Sequence, residues 1–339
     1  MTCELTNKTP LPAAVRPHRD HLGQPHILVV AKGTWRLSDG RLGAAEQQVG
    51  LHEKQICMRL GDLALDSLQK KVIESRQEEQ IVWLDYDLSP PKPAFDVIVA
   101  GYATAPPNYQ EAHIDAGVRI GQHVASLRAH VPRYWEPGLL NDRAKPLTTA
   151  VTRVPITYAF ADWSLGFPLD PSKDALAWLP WIEAPCASNQ RGKRAKAPVG
   201  FGIWPENSAH RQPHAGTYDD VWKRERSPDL PKDFDARFYN VAHPDLQLPN
   251  APVGGTAIRL VHLAEKAVID THFPTLSLSA QATTAGGQTT SVVTLKPDTL
   301  IIEPDHDRMS VVWRVLLSTG AERAALRSVR LFKSEKQAA

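Results

Sequence analysis

The sequence predicts a mainly β protein: antiparallel strands in a sandwich- or barrel-like arrangement, a long loop-rich and tryptophan-rich middle, and a few short helices. Three observations carry that prediction. Proline occurs 28 times in 339 residues, about 8% against a usual share of roughly 5%. Having no N–H and a fixed φ, it limits long helices and favours short strands joined by shaped loops. Short β-branched runs bounded by turn residues recur along the chain, and from residue 256 onward they follow one another closely, as antiparallel strands do.

Taken in order, residues 26–31 (HILVVA) and 33–37 read as strands. Asp39 and Gly40 behind them supply the positive φ values of a tight hairpin turn. Residues 61–80 mix helical and strand character and stay unassigned. Strand character returns at 95–103 (FDVIVAGYA), 124–131 and 156–160. From 167 to about 248 the texture changes to Pro, Trp, Asn and charged residues with little periodicity. Trp135, Trp163, Trp178, Trp181, Trp204 and Trp222 lie in or beside this stretch. Each indole needs apolar cover and usually a partner for its N–H, which favours ordered loops over a linker. Thr217 stands three residues before Asp220, the spacing of a capping box, with Asp219 and Asp220 at the favourable end of a helix dipole. Lys223, Arg224 and Arg226 follow near the other end, and Pro228 stops this short helix. Strands are then expected at 257–263, 266–273, 275–280, 289–295, 299–303, 310–317 and 328–333, with a turn at Gly286 and Gly287 and a fraying tail over 334–339. The chain accordingly divides into an N-terminal β-rich region (1–165), a signature region (166–250) and a C-terminal antiparallel region (251–333), expected to form one compact unit. No repeat with a period of 20–50 residues is present.

Charge and cysteine content narrow the function classes. Thirty-nine basic against 37 acidic side chains leave a formal net charge of +2, a balance that predicts no nucleic-acid or anionic-membrane partner. No apolar run reaches the roughly 18 residues of a membrane span, and residues 1–20 lack the apolar stretch of a signal peptide. Cys3, Cys57 and Cys186 are few, odd in number and far apart, which suits a reducing cytoplasm better than a disulfide framework. They read as small apolar or inert side chains.

Phosphate-loop, dinucleotide, nucleophile-elbow and zinc-protease patterns are all absent. Gly200 and Gly202 form a lone G-x-G outside any strand-to-helix setting. His18, His21 and His26 read as solvated loop residues. His210 and His214 have i, i+4 spacing, but Pro213 between them works against a regular helix presenting both. No metal and no cofactor are therefore expected. Asp305, His306 and Asp307 lie in an ordinary turn between two strands. Asp233 and Asp235 with His243 and Asp245 are the one grouping that leaves a hydrolase-like enzyme open, although nothing supplies a nucleophile with a base and an orienting third group. Four cations within residues 191–196 read as a solvated loop.

The most unusual stretch is residues 215–249, AGTYDDVWKRERSPDLPKDFDARFYNVAHPDLQLP. It reads as a rigid, aromatic-anchored loop held by pairing of its arginines and aspartates, either internal scaffolding or a presented recognition surface. Its residues match the pattern A-G-T-Y-D-x-x-W-x-x-x-R-x-P-x-L-P-x-D-F-D-x-R-F-x-N-x-A-x-P-D through Ala215, Gly216, Thr217, Tyr218, Asp219, Trp222, Arg226, Pro228, Leu230, Pro231, Asp233, Phe234, Asp235, Arg237, Phe238, Asn240, Ala242, Pro244 and Asp245. In this the chain resembles an uncharacterised-domain family of bacterial proteins, the DUF2169 type, encoded beside the VgrG spike, PAAR tip and effector components of type VI secretion. Weaker similarity extends over residues 30–35, 87–93, 96–97, 101, 133–135, 159–160 and 179–185.

The resemblance implies a non-catalytic cytoplasmic adaptor or chaperone that binds a type VI effector and helps load it onto a PAAR-tipped VgrG spike. Within the signature, Thr217, Tyr218, Asp219, Trp222, Arg226, Pro231, Asp233, Phe234, Asp235, Arg237, Phe238 and Asn240 are the candidate partner-binding or scaffold residues. The chain departs from the family at Ala161 and Asp162, where a Gly-Gly pair is common, and over residues 166–178, where a glycine-rich Asn-Pro-x-Gly type of motif is missing.

Overall fold

The computed structural model describes residues 3–37, 47–136, 143–161, 179–185, 199–318 and 326–334. The turn at Asp39 and Gly40, Trp163, Trp178, Cys186, the divergent loop over 166–178, the basic stretch 191–196 and all but the first residue of the tail lie outside them, as does the side chain of Trp135.

Strands dominate, as the sequence predicts. The N-terminal part carries β1 (Glu4–Asn7), β2 (Ala13–Arg19), β3 (Pro25–Arg36), β4 (Ile56–Arg59), β5 (Gln80–Leu84), β6 (Phe95–Val99) and β7 (Tyr102–Thr104). Then come β8 (His113–Ile120), β9 (His123–His130), β10 (Arg133–Glu136), β11 (Arg143–Pro146), β12 (Arg153–Pro155) and β13 (Ile182–Glu183). The C-terminal part adds β14 (Gln247–Leu248), β15 (Ala257–Val261), β16 (Val268–His272), β17 (Leu278–Thr284) and β18 (Val293–Thr294). It ends with β19 (Lys296–Glu303), β20 (Arg308–Ser318) and β21 (Leu326–Lys333). Two short α-helices are described, α1 (Ser67–Val72) and α2 (Asp220–Glu225).

The sheets do not close into a barrel. Six strands pair in the order β14-β6-β19-β20-β3-β2, and five in the order β13-β9-β8-β15-β16. A smaller sheet joins β1, β21, β17 and β18. Pairing is antiparallel apart from β6 with β19 and β1 with β21. Strands from all three sequence regions interleave in the six-stranded sheet.

The two large sheets differ in how they meet water. In β3, nine consecutive residues from Ile27 to Trp35 are buried, and β6 is buried throughout. Such near-continuous apolar runs belong to strands covered on both faces. In β8 and β16, buried and less buried residues alternate strictly, so that sheet turns one face to the core and the other to solvent. Phe95 of β6 meets Phe273, just beyond β16, edge to face with centroids 5.6 Å apart, and the inward side chains of both sheets belong to one apolar core.

Several local expectations are corrected. Residues 26–31 and 33–37 form a single strand to Arg36, because Lys32 and Gly33 continue the extended backbone rather than break it. Residues 95–103 are two strands split at Ala100 and Gly101. Residues 156–160 are not a strand: β12 ends at Pro155, and a short 3-10 turn spans Tyr158–Phe160. The unassigned stretch 61–80 contains α1, whose Asp66 side chain accepts the Gln69 N–H while Gln69 returns a bond to the Asp66 backbone, the capping box in full. His18 and His26 are not loop residues but face each other across the β2–β3 hairpin, and His26 contacts Asp20 at 3.1 Å.

Candidate functional site

The signature segment begins on a glycine that its geometry requires. Gly216 has φ +78°, and a Cβ there would come within 2.9 Å of Pro231 and 3.1 Å of the Phe234 nitrogen. L side chains avoid that region of φ. This close turn brings Thr217 to Asp233: its amide donates to Oδ1 at 3.0 Å and its hydroxyl to Oδ2 at 2.7 Å. Thr217 is therefore not the helix cap that its spacing suggests. Asp219 caps α2 instead, its Oδ1 accepting the Trp222 N–H at 2.8 Å, because the Thr217 hydroxyl is already committed to Asp233.

Helix α2 ends at Glu225, before Pro228 as expected. Trp222 donates its indole N–H to the Asp229 carbonyl at 2.8 Å and meets Tyr218 edge to face, 4.7 Å between centroids. Arg226 reaches back to the Leu230 carbonyl at 3.0 Å and across to the His21 carbonyl in the β2–β3 turn. One guanidinium thus ties the signature to the distant β2–β3 hairpin. Asp235 is held by Arg237, Nε donating at 2.8 Å. That hydrogen bond takes its carboxyl down to about 2. Phe234 contacts Phe238 and Tyr239, with centroids 5.8 and 5.2 Å apart. Arg211, almost wholly buried, lays its guanidinium over Phe238 at 4.6 Å and donates to the carbonyls of Phe238 and Trp204, each at 3.0 Å.

Asn240 closes the segment onto the six-stranded sheet. Its side-chain amide donates to Asp96 Oδ1 at 2.9 Å and to the Ala94 carbonyl at 2.8 Å, while the Val241 N–H donates to Asp96 Oδ2 at 2.8 Å. Lys92 pairs with the same carboxylate at 2.7 Å. From there a buried polar network continues: the Lys92 amide donates to Asp298 at 3.1 Å, and Asp298 pairs with Arg314. Arg314 also donates to the Asp87 carbonyl at 2.9 Å, and the Asp87 carboxylate receives Lys32 at 2.9 Å and the His52 N–H at 2.8 Å. Burial pushes the Asp298 carboxyl up, with Arg314 and Lys92 opposing that shift. Buried charges need partners of this kind, since removal from water penalises each ion heavily. Such networks are weak sources of net stability, but breaking one is costly.

Sequence reasoning singled out the signature, with Asn240, and stretches of weaker similarity that contain Lys32, Asp87, Lys92 and Asp96, but missed Arg211, Asp298 and Arg314 and the pairings that join this network. The signal was a charge inside an apolar strand, Lys32 within β3 and Asp96 within β6. The acids and histidine of the hydrolase reading each contact other residues. Asp233 holds Thr217, Asp235 holds Arg237 and contacts His214 at 3.7 Å. His243 stacks on Trp204 and Tyr158, its Nδ1 accepting the Asp245 N–H at 3.1 Å. Among the described residues no group of three or more His, Cys, Asp or Glu side chains could hold a metal ion, and no helix is long and apolar enough to cross a membrane.

Among the exposed charges of the segment, such as Asp220, Lys223, Arg224 and Lys232, a small apolar group also reaches solvent. Tyr218 is 50% exposed and Val221 48%, and Leu22, in the turn strapped down by Arg226, is 62% exposed. The class so defined is a mainly β protein that fixes a surface loop onto a sheet with buried charges and offers a few apolar side chains on top. The chain belongs to the family described as uncharacterised proteins conserved in bacteria (DUF2169), whose model matches residues 22–162 and 164–314. No curated protein and no solved structure matches it.

Proposed function

We propose that this chain is a cytoplasmic adaptor that binds a type VI secretion effector and helps load it onto a PAAR-tipped VgrG spike, chaperoning it without chemistry. The observation that carries the reading is the rigid exposure of Tyr218 and Val221, with Leu22 beside the same segment. Aromatic side chains held in one conformation lose little entropy on binding and recur among interface hot spots. The two acids of the hydrolase alternative are engaged in holding the loop: Asp233 anchors Thr217 and Asp235 pairs with Arg237.

The test is co-purification. The tagged chain, coexpressed with the PAAR protein and effector encoded nearest its own gene, is expected to elute with one of them. The variant pairing Tyr218→Ala with Val221→Asp is expected to keep its circular dichroism and unfolding midpoint while losing the partner. Elution of the wild-type chain without either protein overturns the adaptor reading. Unchanged capture by the variant moves the interface away from this surface.

A further inference from the structure

We propose that the solvent-facing side of the five-stranded sheet, around Arg119, is a docking surface for a polypeptide segment that carries carboxylates between apolar side chains. This surface uses strands outside the signature segment and does not rest on the adaptor reading.

The outward face of this sheet is almost fully charge-matched. Arg128 grips Asp115 with two bonds of 2.7 and 2.8 Å, and Arg259 grips Asp270 with two of 2.7 and 2.9 Å. Glu183 receives both His130 and Arg133 at 2.8 Å. Arg119 is the exception. The β8–β15 register sets it directly opposite Arg259, and like charges directly opposite each other destabilise a sheet. Arg259 is relieved by Asp270 on its other side. For Arg119 the opposite neighbour on the other side is Val124, and no carboxylate lies within ion-pair reach of it among the described residues.

Beside these ion pairs the face also carries exposed apolar side chains. Val124 is 59% exposed and Val268 39%. Gly117 is paired with Val261, which is paired in turn with Val268. Gly117, on β8 between β9 and β15, adds no side chain to the face. Alternation alone would give this sheet a wet face; what alternation does not explain is a register that opposes two arginines and balances only one. Every carboxylate on the face is already engaged, so the complementary group is an anion from outside, and the exposed valines favour apolar neighbours for it. A polynucleotide fits less well, because its affinity comes from neutralising several phosphates at once and only one guanidinium here is unmatched.

The test is fluorescence anisotropy on the full chain with labelled eight-residue peptides, one alternating Glu and Val and one alternating Lys and Val, and with a single-stranded oligodeoxynucleotide. The Glu–Val peptide is expected to bind, more weakly as salt rises, and Arg119→Glu is expected to weaken it about ten-fold or more. Arg327→Glu, an exposed strand position elsewhere, is the control and leaves binding unchanged. Because Arg119→Glu places a carboxylate opposite Arg259, its unfolding midpoint is expected to equal or exceed that of the wild type. The proposal is overturned if the Glu–Val peptide does not bind, if Arg119→Glu binds it as the wild type does, or if the oligonucleotide is preferred over it.

Discussion

The carboxylate of Asp96, the second residue of β6, accepts the side-chain amide of Asn240 at 2.9 Å, joining residues 144 positions apart in the chain. Through that contact the surface loop takes its position from a strand that never reaches solvent.

The two partners differ in what their loss exposes. Asp96→Ala leaves the Lys92 ammonium buried without its ion pair, and breaking such a pair costs about 3–5 kcal/mol. Asn240→Ala keeps that pair and removes hydrogen bonds alone, a loss of roughly 1–3 kcal/mol. Urea unfolding of both variants is expected to rank Asp96→Ala as the more damaged, and the double variant to fall short of the sum, because both changes remove one shared bond. Equal losses would mean that the Lys92 pair adds nothing to the latch.

A single methyl group at Gly216 is expected to damage the loop. Gly216→Ala meets both a left-handed φ and a clash with Pro231 and Phe234, about 1–3 kcal/mol for the backbone strain alone. Gly255 also has positive φ, +88°, but open space around it, so Gly255→Ala separates conformational strain from collision. The prediction is a larger drop in unfolding midpoint for Gly216→Ala than for Gly255→Ala. An equal drop would show that the loop yields to the methyl group.

His130 predicts how stability responds to mild acid. Burial pushes its imidazole down to about 4, against a smaller upward effect of the Glu183 hydrogen bond. An unfolded chain takes up this proton at an ordinary histidine pKa of about 6.5, whereas the folded one refuses it until about 4. Between those values the unfolded state binds more protons, so stability falls as pH falls through the window and levels off above it. His130→Gln is expected to flatten that slope in denaturant titrations at stepped pH, and an unchanged slope would assign it to other groups.

How much of this was legible in the sequence depends on range. The strands with long apolar runs, β3, β19 and β20, could be read because their residues carry the signal themselves. The β2 edge could not, since Pro17 and its charged neighbours resemble a loop, and only pairing with β3 makes it a strand. β8 was missed although HIDAGVRI alternates strictly, because its polar positions and central Gly117 weaken strand propensity. The signature was visible as a dense block, and its helix was placed correctly with the wrong cap. The pairings of the buried network were invisible for a different reason. Lys32 with Asp87, and Asp96 with Asn240, are pairings of sequence separation 55 and 144, and no local pattern announces a contact across such distances.

The parallel and long-range pairings of the six-stranded sheet also dictate when the molecule can be completed. β3, at residues 25–36, waits for β20 at 308–318, and β6 waits for β19 at 296–303. On a ribosome the described strand with the longest buried run therefore emerges early and keeps one long edge open until synthesis is nearly finished. High separation between contacting residues slows folding and lengthens exposure to aggregation. A polypeptide truncated before residue 296 retains that open edge permanently, and insolubility of such fragments is the outcome this connectivity dictates.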